Sequence, residues 1–101
     1  MTTSKLEVEI PEITGLSVSD DALTVDLADG RSLVAPLAWY PRLAAGTPAE
    51  RAQWELIGRS HGIHWPQLDE DISVANLLAG RRSDESPSSF KRWLGTREAA
   101  A

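Results

Sequence analysis

Leu23-Thr24-Val25-Asp26-Leu27-Ala28-Asp29-Gly30-Arg31-Ser32-Leu33-Val34-Ala35-Pro36-Leu37 is the stretch that decides the fold class. Leu23, Val25 and Leu27 alternate with Thr24, Asp26 and Ala28, and Leu33, Ala35 and Leu37 resume the alternation after a break. A period of two sends successive side chains to opposite sides of a strand, so each run reads as a strand with one apolar face. Asp29-Gly30 between them is a pair favoured in a type I′ turn, in which both central residues have positive φ. Upstream, Leu16 and Val18 alternate with polar residues and Ser19-Asp20-Asp21 reads as a turn. The three runs predict an antiparallel meander that turns Thr24, Asp26 and Ser32 to solvent.

Downstream, Trp39-Tyr40-Pro41 ends the sheet, because proline disfavours helical geometry at the residue before it, and Arg42-Leu43-Ala44-Ala45-Gly46 reads as one short helical turn. Thr47-Pro48-Ala49-Glu50 is a capping box: the threonine hydroxyl accepts from the third helical amide, and the glutamate reaches back to the cap amide. The spacing predicts a helix from Pro48 to about Ile57, with Ala52, Trp54 and Ile57 on its apolar side and Gly58 closing it. Gly62-Ile63-His64-Trp65-Pro66 predicts a fourth, strand-like return, and Gln67 to Asp71 a polar connection. Ser73 is placed to cap a second helix over Val74 to Ala79, in which Val74, Leu77 and Leu78 form one stripe before Gly80 stops it. The chain thus divides into an extended arm (1–12), an α+β core (13–80), a polar linker (81–86), and a C-terminal amphipathic helix with a frayed end (87–101). The core is an antiparallel three- to four-stranded meander with two or three short helices packed on one face.

A chain of 101 residues with 42% hydrophobic and 25% charged residues is one ordinary domain, and no run approaches the roughly 20 apolar residues of a membrane helix. With no cysteine, disulfides, thiolate metal cages and cysteine nucleophiles are excluded, which together with the unexceptional start predicts a cytoplasmic protein. A net charge of −5 argues against direct nucleic-acid binding, which draws its affinity from basic side chains at phosphates.

Two groupings are candidates for chemistry. His61 and His64, with Asp69 and Asp71 nearby, have the donor types of a zinc or iron site or of a small hydrolase. Gly62 and Pro66 oppose the helix that would bring both imidazoles to one face, so neither metal nor other cofactor is expected. The four tryptophans are the second grouping. Trp39, Trp54 and Trp65 read as core, whereas Trp93 lies beyond the linker on a helix whose Phe90, Trp93 and Leu94 need a wall. That wall is either the chain's own domain or another protein, a second copy included.

From Val25 to Gly80 the chain resembles the small bacterial family known as domain of unknown function 2442. The matching stretches are Ala28-Asp29-Gly30-Arg31, Pro36 to Leu43 (Pro-Leu-Ala-Trp-Tyr-Pro-Arg-Leu), Glu50 to Gly58, Gly62 to Val74 (Gly-Ile-His-Trp-Pro-Gln-Leu-Asp-Glu-Asp-Ile-Ser-Val) and Leu77-Leu78-Ala79-Gly80. The resemblance implies a small α+β domain with no recognised enzymatic activity. It also implies an antitoxin-like role, since members are often encoded beside another family of unknown function, number 4160, as in a toxin–antitoxin pair. Some relatives add a DNA-binding helix-turn-helix, for which the residues after Gly80 leave no room. The expectation is therefore a non-enzymatic module for a small protein partner, with Trp39, Tyr40, Arg42, Phe90, Trp93, Leu94 and Arg97 as its contact residues. The alternatives are a small metal- or histidine-dependent enzyme and a self-associating domain.

Overall fold

The structure, a computed structural model, describes residues 9–100, apart from the side chains of 98–100. Most of the arm expected over 1–12 lies outside the described residues, as does Ala101; residues 9–12 belong to no strand.

The alternating runs are strands: β1 (Ile13–Val18), β2 (Ala22–Leu27) and β3 (Ser32–Pro36) pair antiparallel in the order β1-β2-β3. Their register places Leu16, Val25 and Leu33 in one cross-strand row and Val18, Leu23 and Ala35 in the next, on the face that meets the core. Thr24 and Asp26 take the other face, as period two requires. The β2–β3 turn differs from the expected type I′. The amides of Gly30 and Arg31 meet Leu27 and the Asp29 carboxylate, Leu27 N donates to Arg31 O, and Gly30 has φ +94° whereas Asp29 is not left-handed. This is a three-residue loop, and it needs the left-handed region only at its last position.

A short 3-10 turn (Leu37–Trp39) leads into α1 (Pro41–Ala45) and α2 (Pro48–Arg51). The capping box is formed as expected, with Glu50 N donating to Thr47 Oγ1 at 3.1 Å and Thr47 N to Glu50 Oε1 at 2.9 Å. The helix does not continue to Ile57. It stops at Arg51, and Glu55–Ile57 forms β4, paired with β5 (Gly62–Trp65), which in turn pairs with β6 (Glu70–Ser73). Local helical spacing was outcompeted by ladder bonds to a strand several residues downstream, and Ile57, assigned to a buried helix face, is 40% exposed. The single expected return strand is therefore the centre of a second three-stranded sheet. Gln67 to Asp71 is likewise more than a polar connection: Leu68 is fully buried, against Gly46, and β6 begins at Glu70. A Cβ at Gly46 would lie 2.9 Å from the Leu68 methyls, so a side chain there would have to displace Leu68.

α3 (Val74–Leu78) is capped by Ser73, whose Oγ accepts from Asn76 N at 3.1 Å, and its stripe packs on the core as expected. The sheets are joined through the β4–β5 turn, where Ser60 O accepts from Ile13 N at 2.8 Å, while His61 O accepts from Val74 N at 2.9 Å and ties the turn to the start of α3. Arg59 and Ser60 both have positive φ (56° and 64°), and His61 N closes the turn onto Gly58 O. The type I′ geometry sought at Asp29-Gly30 is here, on two residues poorly suited to it.

The core centres on Trp65, which is fully buried with Leu23, Val25, Leu43, Ile63, Leu68 and Val74. Its indole N–H donates to Arg51 O at 3.0 Å. The Arg51 guanidinium, itself buried, donates to Leu43 O (2.8 Å), Ala44 O (3.0 Å) and Asp20 Oδ1 (3.1 Å). α4 (Pro87–Ala100) follows the segment 81–86. No helix among the described residues is long and apolar enough to cross a membrane.

Two outcomes follow from this arrangement. Arg51→Ala should lower unfolding free energy in urea by about 2–3 kcal/mol, and Arg51→Lys should recover little because one ammonium does not span three acceptors. Ser60→Gly should raise it by about 0.5–1 kcal/mol by relieving a left-handed residue; a lower value would mean that the turn is not strained.

Candidate functional site

The proposed contact residues fall on two segments, 39–42 and 90–97, which the fold brings together. Proline at 41 starts α1 immediately after the 3-10 turn, and so leaves Trp39 and Arg42 on the outside and Tyr40 turned inward. Tyr40 is only 4% exposed and its hydroxyl donates to Arg81 O at 3.3 Å. It supports the shoulder from beneath. Trp39 is half-buried, with the Arg82 guanidinium 5.0 Å from its ring, and its carbonyl accepts from Ser83 N at 3.0 Å. The segment 81–86 thus runs along the core, held at Trp39, Tyr40 and Arg42.

Arg42 is the centre of the seam. Its Nε donates to both Glu85 oxygens (2.8 and 3.0 Å), one terminal nitrogen donates to Glu85 Oε2 (2.6 Å), and the other to Asp69 O (3.0 Å) and Oδ2 (3.2 Å). Ser89 Oγ donates to the same Glu85 at 2.9 Å, which fastens the first turn of α4. This pairing holds the Glu85 carboxyl below its ordinary range, Arg42 first among the causes, and raises Arg42 in return.

The far half of α4 is held by a second fork. Arg97 donates to Glu50 at 3.1 and 2.7 Å, so one carboxylate both caps α2 and anchors α4. Trp93 lies between the two arginines, 5.2 Å from Arg42 and 4.8 Å from Arg97, and stacks on Phe90 with centroids 5.8 Å apart. Trp93 thus packs against the chain's own domain, with Phe90 stacked on it. The docking is incomplete: Phe90, Trp93 and Leu94 remain half-buried, and among the described residues none of α4 enters the buried core.

The histidine grouping does not converge. His64 Nδ1 meets Asp71 Oδ1 at 2.5 Å across β5 and β6, and this contact raises the His64 pKa. Asp69 turns away to Arg42, while His61 lies in the β4–β5 turn beside a shallow opening lined by Ile10, Pro11 and Ala28. Among the described residues no three His, Cys, Asp or Glu side chains come together as a metal site would require.

Sequence reasoning missed Arg51, Glu50 and Glu85. Arg51 carries no local signal of burial. Glu50 was legible as a cap, but its second task depends on a residue 47 positions away.

The family model described as "Protein of unknown function (DUF2442)" matches residues 13–83. A crystal structure of a protein of unknown function from Rhodospirillum rubrum is similar at 24% identity, covering 81% of this chain and 99% of that one, with a TM-score of 0.65. A solution structure of an uncharacterised protein from Chromobacterium violaceum is similar at 22% identity, over 89% of this chain and 83% of that one, also with a TM-score of 0.65. At these identities the two solved structures share the fold. No curated protein matches the chain.

The Glu50–Arg97 fork makes the seating of α4 sensitive to acid. Arg97 first, and the Thr47 amide second, hold the Glu50 carboxyl down from 4.5 to about 2. A carboxyl depressed on docking contributes fully above its ordinary value and loses that contribution as pH falls through its depressed one. Amide resonances of residues 87–97 should therefore move between about pH 4.5 and 2, and Glu50→Gln should show the loosened pattern already at neutral pH. Movement at neither pH nor on substitution would show that the fork does not seat the helix.

Proposed function

We propose that this chain, which belongs to the DUF2442 family of proteins of unknown function, is a non-enzymatic protein-binding module, the antitoxin-like member of a bacterial two-gene pair. The observation that carries the binding reading is the arginine–tryptophan seam: Trp39 under Arg82, and Trp93 between Arg42 and Arg97, flanked by half-covered Phe90 and Leu94. Tryptophan and arginine are the side chains that most often dominate binding energy at protein interfaces, because each offers a large flat surface with fixed polar donors. Here their conformations are set before any partner arrives. Arg42 is held by five hydrogen bonds and Arg97 by two, so little side-chain freedom remains to be lost on association.

The net charge of −5 favours a basic partner, encountered in the cytoplasm, and steers the encounter. The antitoxin-like assignment rests on the family resemblance; the seam supports only the binding surface. Of the residues first named, Tyr40 drops out of that surface because it is buried, and Trp39, Arg42, Phe90, Trp93, Leu94 and Arg97 remain.

The test is co-expression of the full chain with the product of the adjacent gene, followed by affinity capture. The two should co-purify, and Trp93→Ala should weaken the complex at least about tenfold while the far-UV spectrum is unchanged. Failure to co-purify overturns the two-gene reading, and full affinity in the variant moves the contact away from the seam.

A further inference from the structure

Three carboxylates are half-buried among the described residues: Glu50, Glu85 and Glu70. The first two each face an arginine fork. Glu70 does not. Its hydrogen bond is to a backbone amide, Asp71 N donating to Oε1 at 3.0 Å, and no cationic side chain lies within ion-pair distance of it among the described residues. A carboxylate removed from water without a counter-ion is costly, which is why such groups are normally paired. In agreement, burial pushes the Glu70 carboxyl above its ordinary range, against the lowering effects of the Asp71 amide and of Arg42.

Glu70 lines a cleft of about 170 Å³ between the start of β6, Asn76 of α3 and the segment 81–84, with Tyr40 on its wall. Of the two arginines on its wall, Arg81 and Arg82, the second lies over the Trp39 ring, and the cleft's three carboxylates, Glu70, Asp71 and Asp84, outnumber them. Asn76 adds a neutral amide that accepts as well as donates. The size suits the head of one long basic side chain rather than a large ligand.

We infer that this cleft receives one basic side chain of the partner protein, a lysine ammonium or an arginine guanidinium, with Glu70 as its counter-ion. The choice of a protein as the source rests on the binding function proposed above. The cleft lies on the same segment that crosses Trp39 and Arg42, so an occupant would meet the seam and the cleft together.

The test uses isotope-labelled full-length chain and a lysine blocked at both ends (Nα-acetyl-lysine methylamide). Amide resonances of Asp71, Asn76 and Ser83 should shift saturably, with the Trp65 indole signal unmoved as the check on folding. Glu70→Gln should weaken binding about tenfold or more, since a charge-assisted bond is replaced by a neutral one. The Nε-acetylated analogue should produce no shifts. Absence of saturable shifts, equal binding by Glu70→Gln, or equal binding of the acetylated analogue overturns the inference, as does saturation by putrescine but not by blocked lysine. If the probe fails while the neighbouring gene product still co-purifies, the cleft is removed and the binding module stands. If the probe binds and nothing co-purifies, the cation site stands and the partner does not.

Discussion

The hydrogen bond from the Trp65 indole to the Arg51 carbonyl, with the Arg51 guanidinium spread over the end of α1, is the contact on which the architecture depends. An indole buried at the centre of a small domain needs an acceptor, and a carbonyl at the end of a helix is one that has lost its intrahelical partner. Stopping α2 at Arg51 supplies it. The same residue then turns its side chain back to the carbonyls of α1 and outward to Asp20 in the β1–β2 turn. One residue thereby ties the first sheet, both short helices and the second sheet, and the chain is released at Trp54 to form β4 instead of continuing the helix.

The outer layer is assembled on different physics. α4 is seated by two charged forks and a tryptophan between arginines, with no residue fully buried among those described. The Arg97–Glu50 pair is the more exposed of the two, and a pair of that kind contributes about 0.2–1 kcal/mol, less than burial of a large apolar side chain. The core and the seam therefore differ in how firmly they are held. The arginines and tryptophans of the seam are thus prearranged at the surface by charged contacts.

The sheet that opens the chain was legible because its signal is local. Alternation over Leu23 to Leu27 and Leu33 to Leu37 fixes strands and faces without reference to anything else, and the Thr47 capping box and Ser73 cap are equally short-range. The candidate surface was partly legible, since a helix carrying Phe90, Trp93 and Leu94 must pack somewhere. Its chemistry was not. The forks join Arg42 to Glu85 and Glu50 to Arg97, at separations of 43 and 47 residues, and no local pattern marks such partners.

By itself, then, the sequence determined the α+β class, the first meander, the helix caps, the absence of cysteine chemistry and the family. Tertiary structure decided the rest. Glu55–Ile57 is a strand because β5 is beside it, Tyr40 is interior because the 81–86 segment covers it, and Glu70 has no ion pair among the described residues because Arg42, whose charge reaches it, is occupied by Glu85 and Asp69. The physical reason is common to all three: propensity and periodicity act over a few residues, whereas burial and charge pairing are settled by whichever groups the completed chain places opposite one another.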